Sequence, residues 1–526
     1  MVTVISTKKS AFVALATAAL LALAGCSGGG EPASGSVQEP AGDPVSGGTL
    51  KAIEMFPTNG FDPVQVFSST STPITYSALY GDFLVPNPET GASDCNMCES
   101  FTTSDDGATW DVVLKDGIEF SDGTPFDATA VKFNWDRVKD PTNGSASAGF
   151  AGQIADTEVV DDLTLKLHMA ESNPGFISNF MVYALQWIAS PAALEQGPEE
   201  FNKNPIGAGP FTLESWTPNG VTKLVRNENY YDAPRPYLDA IEVQGVTDTT
   251  QRLNSLISGD VDAILNSDAF AFADAEAAGL SIHKYTFNGG TGLMFNTSKA
   301  PFDDVRARQA LGYALDLPGV SDASTGGFPS TPTTLFPEDS PFYSDVPLTS
   351  HDPERAQELF DELADEGTPL EFTFSMTPGP SSQGAFDAIQ SQLQQFENVT
   401  VTADQKPANE AGVFTTNGDY QSTVSSMAFT QPEGRLWGAL YSKAGASNYS
   451  RFSDPATDAA LDAAGKTDDV AEQTKQYKIV QERLAELQPY LLFSEYYNGL
   501  ISTDKVQGVL MYGYTTPRVA EIWLQQ

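Results

Sequence analysis

Residues Trp110 to Val138 read WDVVLKDGIEFSDGTPFDATAVKFNWDRV, and the succession of patterns in this stretch decides the fold class. Trp110, Val112 and Leu114 alternate with Asp111, Val113 and Lys115, the period-two pattern of a half-buried strand. Asp116-Gly117 marks a turn, and Ile118 and Phe120 resume the alternation, which predicts a hairpin. Ser121-Asp122-Gly123-Thr124 makes a second turn. Asp127 then stands at the N-cap of a helix whose apolar face is Val131, Trp135 and Val138, spaced i, i+4, i+7. Strand, turns and capped helix in immediate succession point to an α/β chain.

The same alternation continues outward. Leu163, Leu165, Leu167 and Met169 alternate with Thr164, Lys166 and His168, so this strand should turn His168 away from the leucines, toward the surface. Thr249 or Thr250 can cap a helix with Leu253, Leu256 and Ile257 on one face, and Gly259 stops it. Asp303 or Asp304 precedes a helix carrying Val305, Ala310, Leu311, Ala314 and Leu315. Tyr477, Val480, Leu484 and Leu487 mark another, followed by Pro489 and the apolar strand Tyr490-Leu491-Leu492-Phe493. There is no internal repeat, and no transmembrane run follows residue 25.

A chain of 526 residues suggests roughly two to four domains. Asp+Glu number 69 against Lys+Arg 28, a net charge of −41, which excludes non-specific binding to nucleic acid or anionic lipid. The excess also suits solvation of an exposed surface. Hydrophobic content of 40% with 10% aromatics is too rich for a disordered acidic chain. Three histidines leave little for a His-rich site, so neither a metal nor a cofactor is expected.

At the N-terminus, Lys8 and Lys9 precede an uninterrupted run of apolar and small residues from Ala11 to Ala24, too short to span a bilayer but suited to a secretory signal. Leu23-Ala24-Gly25-Cys26 resembles the bacterial lipobox, in which the cysteine becomes the lipid-bearing N-terminus. Residues 1–25 are therefore expected to be a lipoprotein signal peptide, Cys26 the lipidation site, and 26–45 a Gly/Ser/Pro-rich tether. Removing residues 1–25 takes away two lysines and no acid, moving the charge from −41 to −43. In an oxidising compartment Cys95-Asn96-Met97-Cys98 admits three chemistries: a local disulfide, free thiols or half a metal pair, or a thioredoxin-like redox motif. The surrounding Asn87, Pro88, Gly91, Ser93 and Asp94 read as loop, which favours the disulfide.

Five blocks in order resemble the extracytoplasmic solute-binding proteins of ABC importers, in particular the large peptide/nickel type (solute-binding family 5, cluster C). They are the Trp110–Val138 stretch, NPIGAGPFTLESW (204–216), RNENYYDAPRPYLDAI (226–241), LMFNTSKAPFDDVRARQALGYALD (293–316) and SNYSRFSDPATDAALDAA (447–464). Gly47-Gly48-Thr49-Leu50 and Phe61-Asp62-Pro63 match its usual start. The resemblance implies a periplasmic-binding-protein type II-like α/β clamshell of two lobes with an extra inserted subdomain. Lobe I would comprise 46–80, 205–285 and 490–526, the inserted subdomain 81–204, and lobe II 286–489. It also implies a monomer that captures a small solute between its lobes outside the cell membrane and delivers it to a membrane permease.

The resemblance places ligand contacts in the stretch Ala428 to Trp437, giving Phe429, Thr430, Gln431, Glu433, Arg435 and Trp437 as candidates, with Tyr76 and Trp187 as outlying ones. Many peptide binders carry an aspartate for the peptide α-amine where this chain has Gln431. A neutral amide accepts a hydrogen bond from an ammonium without neutralising it. Arg435 suits a carboxylate or phosphate, and Trp437 suits stacking. The glycines of Phe287-Asn288-Gly289-Gly290-Thr291-Gly292 fit a hinge or a close backbone approach where the chain crosses between lobes. Oligopeptide is the expected solute, with sugars, opine-like conjugates and metal chelates as alternatives. The chain has no G-x-S-x-G, H-E-x-x-H or P-loop, so an enzyme is not expected; a secreted hydrolase or an adhesion protein are remote alternatives.

Overall fold

The computed structural model describes residues 42–66, 72–87, 93–328, 330–407, 411–467, 469–513 and 515–525, with the backbone alone at Thr286, Ala411, Gly412, Glu433, Gly434 and Ala446. Cys26, the signal segment and most of the tether lie outside the described residues.

Two sheets organise the two lobes. The first runs Ser281–Thr286, Tyr497–Ser502, Ala263–Asn266, Thr49–Glu54, Ala240–Gly245, Val221–Arg226, Phe211–Trp216. Thr49–Glu54 lies parallel to both of its neighbours, and all four residues of Ala263–Asn266 are buried, as expected for a central strand covered on both faces. The second sheet runs Val399–Gln405, Leu370–Met376, Ser422–Ser426, Thr291–Phe295, Tyr490–Ser494. Tyr490–Ser494 was expected in lobe I. It instead pairs antiparallel with Thr291–Met294, because Leu491 and Phe493 complete the lobe II core beside Leu293 and Phe295.

The chain thus passes between the sheets twice, at 287–290 and at 495–496. The crossings touch: the Phe287 amide reaches the Tyr496 carbonyl at 3.4 Å and their rings lie 5.1 Å apart. The glycines serve close backbone approach here. A Cβ on Gly289, at φ 73°, would sit 2.3 Å from the Met427 carbonyl oxygen, and one on Gly290 would sit 2.5 Å from that of Ser494.

The inserted subdomain is built on a four-stranded antiparallel sheet, Cys98–Thr102, Thr109–Leu114, Thr164–Met169, Ile154–Asp161. The expected hairpin between Trp110–Leu114 and Ile118–Phe120 does not form. Thr109–Leu114 is already flanked by Cys98–Thr102 and Thr164–Met169, so Ile118 and Phe120 drop into the core instead. The helix Ala128–Lys139 begins as its sequence predicts, with Asp127 accepting the Ala130 amide at 2.8 Å. His168 is half-buried, on the strand face opposite the buried Leu165 and Leu167, and stands 3.2 Å from Glu158.

Two sequence blocks meet where this subdomain joins lobe I. Arg137, at the end of the Trp110–Val138 stretch, forks onto both carboxylate oxygens of Asp62 in Phe61-Asp62-Pro63, at 3.0 and 2.6 Å. Cys95 and Cys98 are joined in a disulfide that closes the turn between two short strands. The amides of Asn96 and Met97 both donate to the Phe83 carbonyl, so this turn grips the chain as it enters the subdomain.

Candidate functional site

Two hollows contrast. One of about 460 Å³ lies open along the helix Thr249–Ile257 and is lined only by that helix and its flanks, Asp248 to Asp260, so no second element converges on it. The other, about 290 Å³, is walled by segments far apart in the chain: Asn179 and Tyr183 from the inserted subdomain, and Ser426, Phe429, Thr430, Gln431, Arg435, Gly438, Ala439, Ser447, Tyr449 and Tyr490 from lobe II. Convergence of distant elements with aromatic and polar groups is the pattern of a ligand site, and this volume suits a small solute.

Its floor follows from local structure. Strand Ser422–Ser426 ends at the cavity, and the next residues are fastened to the interlobe crossing. Asn288 and Phe429 exchange backbone hydrogen bonds at 2.9 and 3.1 Å, and Asn288 Nδ2 donates to the Thr430 carbonyl at 3.0 Å. Phe429 is held edge-on against Phe336 at 5.6 Å. Pro432 starts the helix Pro432–Leu440, with Gln431 at its N-cap and no side-chain capping bond from Gln431. One turn on, exposed Arg435 donates from Nη2 to the Ser426 carbonyl at 3.0 Å.

The walls are aromatic hydroxyls. Tyr183 stacks face to face on Phe150, centroids 4.2 Å apart and planes within 14°, which fixes the ring that the subdomain presents. Burial raises the pKa of Tyr183, so its hydroxyl stays protonated. Burial also raises Tyr490 and the neighbouring Tyr496, and the Arg435 charge pulls both partly back.

Phe429, Thr430, Gln431 and Arg435 therefore come together on one cavity. Trp437 does not line it. Its ring packs over Gly465, where an added Cβ would meet it at 2.9 Å, and against Tyr441 at 5.4 Å. Tyr76 and Trp187 are likewise placed in the lobe I core, 3% and 1% exposed, their rings 5.4 Å apart. Tyr76 Oη is used on the Gly60 carbonyl at 3.1 Å. Nothing is described of the Glu433 side chain.

The cavity also contains residues the sequence reading missed. Ser447 and Tyr449 sat within the quoted SNYSRFSDP block, and Tyr490 opens the strand after Pro489. Asn179 and Tyr183 lie in irregular helical turns without a periodic signal. The histidines lie elsewhere: His283 is 3.2 Å from Ser502 Oγ, and burial pushes it down to about 4, leaving it neutral.

The family model for bacterial extracellular solute-binding proteins, family 5 (middle region), matches residues 95–448. The chain belongs to this family. It is 30% identical over 414 residues to the glutathione-binding protein GsiB of Shigella boydii, covering 75% of this chain and 79% of that protein. Among solved structures it resembles AgaA of A. tumefaciens R10 in complex with agropinic acid, at 25% identity and TM-score 0.69, covering 91% of this chain and 99% of that one. It also shares the fold of HbpA2 from Haemophilus parasuis at 20% identity and TM-score 0.79, covering 91% and 100%. Among the described residues no helix is long and apolar enough to cross a membrane.

Proposed function

We propose that this family 5 protein captures a small peptide or peptide-like amino-acid conjugate in the 290 Å³ cavity and hands it to an ABC permease. The observation that carries the reading is the cavity itself: Tyr183 and Asn179 from the subdomain face Gln431 and Arg435 from lobe II. A ligand touching both sides would hold them together, and hinge bending at the paired crossings 287–290 and 495–496 supplies the motion. The relatives support the ligand class: one is named for glutathione, a tripeptide, and another is bound to agropinic acid. Capture proceeds without turnover, by a monomer tethered outside the membrane through a lipid on Cys26, with a loop pair at Cys95 and Cys98.

A thermal-shift panel of tripeptides, amino-acid conjugates, sugars and metal chelates tests this. A ligand that binds only the folded chain raises Tm by mass action, and peptides or conjugates are expected to do so and to be recovered intact. A shift confined to sugars or chelates, or cleavage of the peptide, would overturn it.

A further inference from the structure

In a chain with 69 acids and 28 lysines and arginines, seven of the eleven arginines, all of them among the described residues, pair with a carboxylate. Arg137, Arg306 and Arg483 each pair with aspartates; the partly or fully buried Arg308 and Arg451 donate to backbone carbonyls, and Arg252 to carbonyls and to the side chains of Thr249 and Asn266. Arg435 does neither in full. It lines the cavity, stays exposed, forms no ion pair among the described residues, and commits one donor to the Ser426 carbonyl. A guanidinium has five N–H donors in a planar fork that matches a carboxylate. The described lining side chains include no Asp or Glu, and Gln431 cannot neutralise an ammonium.

We propose that Arg435 is the specificity residue of the cavity, docking a carboxylate of the solute, so that the protein selects its ligand by the acid end. This rests on the capture role proposed above and names the chemistry that role selects. The overall charge of −41 opposes an anion at long range, but salt screens that field within about 8 Å at physiological ionic strength, whereas a contact pair is screened much less. Tyr183, Tyr449 and Tyr490 add hydroxyls around the same space.

Calorimetric titration of the full chain with glutathione, with Ala-Ala-Ala and with its C-terminal amide tests this, together with citrate as a non-peptide carboxylate. The amide should bind roughly 10- to 100-fold more weakly than the free acid, the scale of a hydrogen bond to a charged group. Arg435→Gln should weaken the free acid by a similar factor and erase the difference between acid and amide. Arg435→Lys, which keeps the charge without the fork, should retain part of it, and melting curves should show both variants folded. Equal binding of acid and amide by the native chain, or discrimination that survives in Arg435→Gln, would overturn the inference and leave the capture of peptides standing. Arg435-dependent binding of citrate with no peptide bound would do the reverse. No binding by any probe would overturn both.

Discussion

Arg435 and Trp437 stand two residues apart on the helix Pro432–Leu440 and face opposite ways, the guanidinium toward the cavity and the indole toward Gly465 and Tyr441. Two positions on an α-helix turn through about 200°, so both side chains cannot share one ligand. Trp437→Ala should therefore cost about 3 kcal/mol in urea unfolding, the scale of a truncated packed aromatic, and leave solute affinity within twofold in the folded fraction. A large loss of affinity with unchanged stability would put the indole back in the site.

Tyr183 carries the inserted subdomain's part of the site, its back held by Phe150. Tyr183→Ala is expected to weaken solute binding by roughly 1–3 kcal/mol, as for an aromatic anchor, and Tyr183→Phe by about 1 kcal/mol or less. Titration calorimetry on both variants separates ring from hydroxyl. Unaltered affinity in Tyr183→Ala would remove this ring from recognition.

Two buried carboxyls make stability depend on pH. Asp82 accepts hydrogen bonds from Tyr512 and Ser77, and Glu54 from the amide and hydroxyl of Thr75. Burial nevertheless pushes Asp82 up to about 6 and Glu54 up to about 7. Each folded pKa exceeds its unfolded value, so the folded chain binds the proton more tightly. This contribution is full below about pH 4 and is lost as pH rises through 6 to 7. Asp82→Asn should remove about 2 kcal/mol of the decline between pH 4 and 8, read from urea unfolding at each pH. The same pH slope in mutant and parent would contradict the assignment.

The Cys95–Cys98 turn clasps the entry to the subdomain through the Phe83 carbonyl, with Asn96 Nδ2 also on the Asp82 carbonyl at 2.7 Å. Closing so short a loop is worth roughly 2 kcal/mol in the chain-entropy model. Cys95→Ser with Cys98→Ser should lower unfolding free energy by that amount, with no change in secondary structure by circular dichroism. Stability equal to the parent would show that the backbone bonds alone hold the clasp.

Much of this was legible in the sequence because strong local signals matched the tertiary result. Asp127 caps where the spacing of Val131, Trp135 and Val138 says a helix starts, and Arg137 finds Asp62 in another quoted motif. Of the stretch Phe429 to Arg435, four candidates, Phe429, Thr430, Gln431 and Arg435, line one cavity. The failures have physical causes. Tyr490–Leu491–Leu492–Phe493 reads as a buried strand in any sheet, and only its register against Thr291–Met294 says which. A DG turn beside alternating residues predicts a hairpin, but Trp110–Leu114 takes partners distant in sequence. Tyr183 gives no periodic signal, and Tyr76 and Trp187 have aromatic character that serves a core as well as a site.

The most direct test is native mass spectrometry of the full chain with an equimolar library of small peptides and their C-terminal amides. One-to-one adducts of free acids are expected over those of amides, lost in Arg435→Gln and in Tyr183→Ala and retained in Trp437→Ala. Adducts that persist in both of the first two variants, or that vanish only in the third, would contradict this expectation.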